Sequence, residues 1–176
     1  MARRRQKKPV RVIPLSHGPL PRKFDGQFTT CPLVFSDASR QERGGLAAVI
    51  YTNADLTPQV LTRTVPAIGS NELELQAALM ALDHMARHFP GRAFALFSDN
   101  LDTVNRLCRF KMQGLPDEAI TAHQAPDALP LALPLTLDRA TITWIPGHAA
   151  CRGNAVADQH ARLAASAAGP CHTTND

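Results

Sequence analysis

Apolar and polar positions alternate in blocks along the 176-residue chain, and the blocks change period twice. Leu33-Val34-Phe35 is a short apolar run that ends at Asp37, and it reads as a buried strand. Gly44-Gly45 reads as a turn, followed by a second strand over Leu46–Thr52. Asn53-Ala54-Asp55 makes another turn, and Val60–Val65 alternates as a third strand. Short links between three strands predict an antiparallel meander. The period then lengthens. Asn71 is placed to cap a helix that runs to about Phe89 and stops at Pro90-Gly91, with Leu75, Leu79, Leu82, Met85 and Phe89 on one face. Phe94–Asp99 returns as a strand parallel to the first, through a right-handed crossover. Leu101–Phe110 reads as a short helix, Thr141–Pro146 as a fifth strand, and Arg152 to about Ala167 as a closing Ala-rich helix. Between them, Met112–Leu137 holds Pro116, Pro126, Pro130 and Pro134 and no Lys or Arg; it predicts a surface loop, with a turn or two of helix over Asp117–His123.

The chain is long enough for one domain with a core and has no run of 18 apolar residues, so a membrane span is not expected. Cys31, Cys108, Cys151 and Cys171 are scattered without zinc-type spacing, which predicts reduced thiols in a cytoplasmic protein. The N-terminus has no secretory pattern. The net charge of +4 is uneven. Arg3, Arg4, Arg5, Lys7, Lys8, Arg11, Arg22 and Lys23 all precede the first acid, Asp25, and the rest of the chain is net negative. Residues 1–30 therefore read as a basic, flexible arm that attracts phosphate backbones, residues 31–168 as the domain, and residues 169–176 as a disordered tail.

Candidate chemistry lies at the ends of these elements. Asp37 and Asp99 close apolar runs, Glu74 lies in the opening of the first long helix, and Asp158 lies in the closing helix. Carboxylates gathered in one cleft repel each other unless cations neutralise them. Hard oxygen ligands suit Mg2+ or Mn2+, and a pair of such ions suits phosphodiester chemistry. Glu72 reads as a solvated first-turn acid, and Trp144 as a packing residue.

The order and setting of these residues resemble the type 1 ribonuclease H family, from about Cys31 to Ala167. The motifs are Phe35-Ser36-Asp37-Ala38-Ser39, Glu74-Leu75-Gln76-Ala77-Ala78, Ser98-Asp99, and Gly147-His148 ten residues ahead of Asp158. The resemblance implies an α/β fold: a five-stranded mixed sheet, three antiparallel strands then two parallel, flanked by helices. It implies an endonuclease that hydrolyses the RNA strand of RNA–DNA hybrids and leaves 3′-hydroxyl and 5′-phosphate ends. Asp37, Glu74, Asp99 and Asp158 would hold two Mg2+ ions once substrate is bound, with Mn2+ able to substitute. Asp37 would bridge the ions, and His148 would move a proton or help product leave. Ala38, Ser39, Asn71 and Asn100 would touch substrate, at 2′-hydroxyls in particular. Ser70 stands where Asn is common, Leu101 where a polar residue often follows the Ser-Asp pair, and the basic handle helix of longer members is missing. A monomer is expected. Alternatives on the same fold are a nuclease for DNA or structured RNA, and a non-catalytic nucleic-acid-binding module. Asp37-Ala38-Ser39 in place of Asp-x-Glu argues against a proofreading exonuclease, and Gly147-His148 against a transposase or integrase. All four acids being present argues against a relic site.

Overall fold

The computed structural model describes residues 16, 18–52, 57–116, 132–147 and 151–167. The elements are β1 (Leu33–Arg40), β2 (Arg43–Tyr51), β3 (Gln59–Pro66), α1 (Ser70–His88), β4 (Phe94–Ser98), α2 (Leu101–Gln113), α3 (Ala132–Arg139), β5 (Ala140–Trp144) and α4 (Arg152–Ser166). They form one five-stranded sheet in the order β3-β2-β1-β4-β5. β3, β2 and β1 pair antiparallel, and β1, β4 and β5 pair parallel. This is the mixed sheet expected from the sequence.

Strand alternation sends side chains to two faces. Val34, Ala48, Ile50, Phe94 and Leu96 meet α1 on one face. The middle of α1 is buried nearly all round, not along one stripe, because α2 and α3 cover its back. Phe35, Val49, Tyr51 and Phe97 form the second core with Ala157, on the face that α4 covers.

Several local expectations are corrected. Gly44-Gly45 is not a turn: both residues lie inside β2, paired with Arg40 and Ser39. Their missing side chains serve packing. A Cβ on Gly45 would overlap the Ala161 carbonyl oxygen and the Ala165 amide of α4. Alanines along α4 bring it this close to the sheet, and Gly45 receives it. Gly45→Ala has only helix backbone to push against, so a loss of about 3 kcal/mol in urea denaturation is expected, at the upper end of overpacking costs. Unchanged stability would mean that α4 sits higher over the sheet.

Asp37 does not end β1, which continues to Arg40 along β2. Asn71 does not cap α1; Gly69 takes that position, with no side-chain cap. The proline-rich stretch is not all loop, since α3 occupies its end. Pro134 falls in the first turn of α3, where no amide hydrogen bond is lost, and Leu133 and Leu137 are buried. The proposed helical turn at Asp117–His123 and the turn at Asn53–Asp55 lie outside the described residues, as do residues 1–15 and 168–176. The last part of the expected arm is docked on the domain. Leu20 and Pro21 are buried, and the rings of Phe24 and Phe28 sit 5.9 and 5.4 Å from that of Phe97. Among the described residues, no helix is long and apolar enough to cross a membrane.

Candidate active site

Strand register brings the first two acids together. β1 and β4 pair in parallel at Leu33–Ala95, Val34–Leu96 and Phe35–Phe97, and the pairing ends there. Asp37 and Asp99 each stand two residues past the last pair, so they are neighbours on one face. Beyond this point β1 follows β2 while the chain leaves β4 for α2, and a cleft opens between them. Glu74, the fifth residue of α1, reaches the same cleft. One carboxylate oxygen from each of Asp37, Glu74 and Asp99 lies within 4.8 Å of the others.

The cleft encloses about 330 Å3. Its lining also includes Ala38, Asn100, Gly147, Asn154 and Asp158. Asp158 borders the cleft but is outside the close carboxylate group; its Oδ2 is 2.9 Å from Arg162 Nη2, one helical turn on. His148 lies outside the described residues, although Gly147 before it is at the cleft wall. Ser39 does not line the cleft, and its backbone pairs with Gly45. Asn71 and Asn100 hold each other: Asn100 Nδ2 donates to Asn71 Oδ1 at 3.0 Å. Asn100 Oδ1 meanwhile accepts from the Thr103 amide at 2.8 Å, which caps α2. Glu72 turns to the ion pair with Arg106 at 2.6 Å.

Two neighbours of Asp99 were not anticipated. Asn154, buried in the first turn of α4, donates Nδ2 to Asp99 Oδ2 at 3.0 Å. Trp144 is not core packing: it is 41% exposed, and its Nε1 donates to the Asp99 carbonyl at 3.0 Å. Asn154 was detectable in principle, because it precedes Asp158 by one helical turn and shares its face. Trp144 was masked by its strand setting.

Electrostatics make this an unsatisfied site. Asp37 is buried and is pushed up to about 7, first by loss of solvation and then by Asp99; the Ala38 amide opposes this by donating to Oδ1 at 2.7 Å. Glu74 is pushed up to about 9 by burial and then by the charges of Asp37 and Asp99. Its Oε2 is buried without a hydrogen-bond partner. Hard oxygen donors, mutual repulsion and an unpartnered carboxylate oxygen all fit a divalent cation of the Mg2+ or Mn2+ type.

These shifts carry a sign. Both acids hold protons more tightly folded than unfolded, where they titrate at about 4. Between about pH 4 and the folded values near 7 and 9, the native protein binds more protons than the unfolded chain. Metal-free stability is therefore expected to fall as pH rises through that window, and millimolar Mg2+ to restore it at the alkaline end. Thermal melting against pH, with and without Mg2+, checks this; a metal-independent profile would contradict the electrostatic assignment.

A sequence model of the RNase H family matches residues 31–166. The chain belongs to the RNase H family. That membership supports a nuclease of the RNase H type, and the acidic group is compatible with the divalent metals that the family typically uses. No curated protein matches the chain in sequence. Among solved structures, the N-terminal RNase H domain of a Mycobacterium tuberculosis protein is similar at 19% identity and a TM-score of 0.57, over 77% of this chain and 94% of that one. RNase H1 from Halobacterium salinarum is similar at 19% identity and a TM-score of 0.54, over 76% and 96%. The protease-reverse transcriptase of prototype foamy virus is similar at 16% identity and a TM-score of 0.56, over 78% of this chain and 21% of that longer one. At these identities the likeness is one of fold.

Proposed function

We propose that the chain is an endonuclease that hydrolyses the RNA strand of RNA–DNA hybrids, with Asp37, Glu74, Asp99 and Asp158 as ligands of two Mg2+ ions. The observation that carries this reading is the close group of three carboxylates in a cleft at the end of the β1–β4 pairing. When bound, such ions would activate a water and stabilise the leaving 3′ oxygen. The chain's own residues supply the framework. Asp37 stands on the central strand, with one oxygen fixed by the Ala38 amide. Asp99 is fixed at its carboxylate by Asn154 and at its carbonyl by Trp144. Asn100 lines the cleft and its amide is linked to that of Asn71, so these polar groups would be at hand to meet a 2′-hydroxyl. The Asn100 carboxamide also caps α2, so its orientation is set before substrate arrives.

The deciding experiment incubates end-labelled RNA–DNA hybrid, duplex DNA and duplex RNA with the protein in Mg2+, Mn2+ or EDTA. Cleavage of the RNA strand of the hybrid alone is expected, with either ion, leaving 3′-hydroxyl and 5′-phosphate ends, and none in EDTA. Equal cutting of duplex DNA would replace the hybrid reading with a general nuclease.

A further inference from the structure

The strongest feature that the cleft chemistry leaves unused is the strap Pro19–Phe28, which runs beside it. The strap is built, not draped. The Gly153 amide, in the same helical turn as Asn154, donates to the Pro19 carbonyl at 3.1 Å. Arg22–Phe24 forms one turn of 3-10 helix, closed by the Phe24 amide to the Pro21 carbonyl at 2.9 Å and the Asp25 amide to the Arg22 carbonyl at 3.0 Å. Phe24 and Phe28 pin it to Phe97, two residues before Asp99. Phe28 takes a left-handed φ of 56° to do so.

This anchoring places Lys23 Nζ 5.6 Å from the centre of the Trp144 ring and 4.7 Å from that of Phe24. A ring face holds an ammonium in place without neutralising it. Neither Arg22 nor Lys23 is in an ion pair among the described residues. Arg106 is engaged with Glu72, and Arg162 with Asp158. Trp144 in turn donates to the Asp99 backbone. An acidic cleft repels a phosphate backbone, so a chain that takes nucleic acid there needs free cations close by.

We propose that the strap is part of the nucleic-acid-binding face, and that Lys23 on the Trp144 ring, with Arg22 beside it, is a phosphate site for the strand leaving the cleft. The proposal rests on the nuclease reading and deepens it. It separates these two cations, set in a folded turn, from the basic residues before them.

The test uses the full chain. Hybrid affinity is measured by fluorescence anisotropy across a salt series on the cleavage-deficient Asp37→Asn background, and KM and kcat on the active background. The Arg22→Glu/Lys23→Glu double variant should flatten the slope of log affinity against log salt by about 1.4–1.8, from two contacts at roughly 0.7–0.9 each. Its loss should fall mainly in KM. Lys23→Arg should keep the slope, since Arg retains the charge and stacks on the ring. Trp144→Phe should also keep the slope, because a ring remains under Lys23, while its lost bond to Asp99 lowers kcat. Melting temperature reports whether the strap stays folded; both cations are exposed, so little change is expected. A double variant with the parent slope and affinity would overturn the proposal. A parent protein that binds hybrid without cutting it would refute the nuclease reading, yet leave the slope comparison decisive for the strap; one that binds no nucleic acid would overturn both.

Discussion

Asp37→Asn is expected to leave the fold intact and to lower hybrid cleavage by several orders of magnitude. The side chain is buried in the central strand, and Asn matches its shape closely. Its carbonyl oxygen can still accept from the Ala38 amide, a hydrogen bond that orients Asp37. What is lost is one of the three close carboxylate charges that would hold the ions. The same charge is a liability in the metal-free protein. Burial and the charge of Asp99 hold Asp37 up at about 7, so its ionisation at pH 8 works against folding. The variant should therefore melt at or above the parent temperature in EDTA, and should gain less than the parent from added Mg2+. Calorimetric melts in EDTA and in Mg2+, beside a gel assay of cleavage, read both halves. Substantial cleavage by Asp37→Asn would remove it from the ligand set; a collapse in EDTA would show that the carboxylate has a structural role instead.

Much of this arrangement was legible in the sequence because it is written in short-range chemistry. The apolar runs before Asp37 and Asp99, the spacing of Leu75, Leu79 and Leu82, and the alternation in β3 each reflect one element's own burial. What was hidden depends on partners far along the chain. Gly44-Gly45 has the local signature of a turn, but the approach of α4 makes both glycines strand residues. Asp37 ends an apolar run without ending its strand, because β2 continues the pairing after β4 has stopped. α3 carries a proline that discourages a helix assignment, although in the first turn a proline is harmless. Phe24 and Phe28 lie in a basic, Gly- and Pro-containing stretch, and only Phe97 shows why they are there. In the site itself the four acids singled out from the sequence all border one cleft, but the sequence did not indicate their inequality. Asp37, Glu74 and Asp99 form the close group, whereas Asp158 is drawn to Arg162. Nor did it indicate that Asn154 would fix Asp99, since that bond joins the residue after β4 to α4 across 55 residues.

His148→Ala is expected to slow turnover about 10²- to 10⁴-fold without abolishing it, the usual range for a lost acid–base group. The chain passes residue 147 against Asp99: a Cβ on Gly147 would sit 2.8 Å from Asp99 Oδ2. A side chain there would have to displace the Asp99 carboxylate, and the next residue is the histidine. The role proposed for His148 is proton transfer, since an imidazole titrates near neutrality and can take a proton from water or give one to a leaving oxygen at working pH. Carboxylate oxygens of Asp37, Glu74 and Asp99 already form a hard donor set without an imidazole. Mn2+ binding measured by calorimetry should therefore be unchanged in His148→Ala, with the loss in kcat and little in KM. Glu74→Gln is the counterpart: it should weaken Mn2+ binding, because it removes the buried, unpartnered oxygen Oε2 as an anionic ligand. If His148→Ala instead abolished Mn2+ binding, the histidine would have to be counted among the ligands, and the proton transfer assigned to a different group.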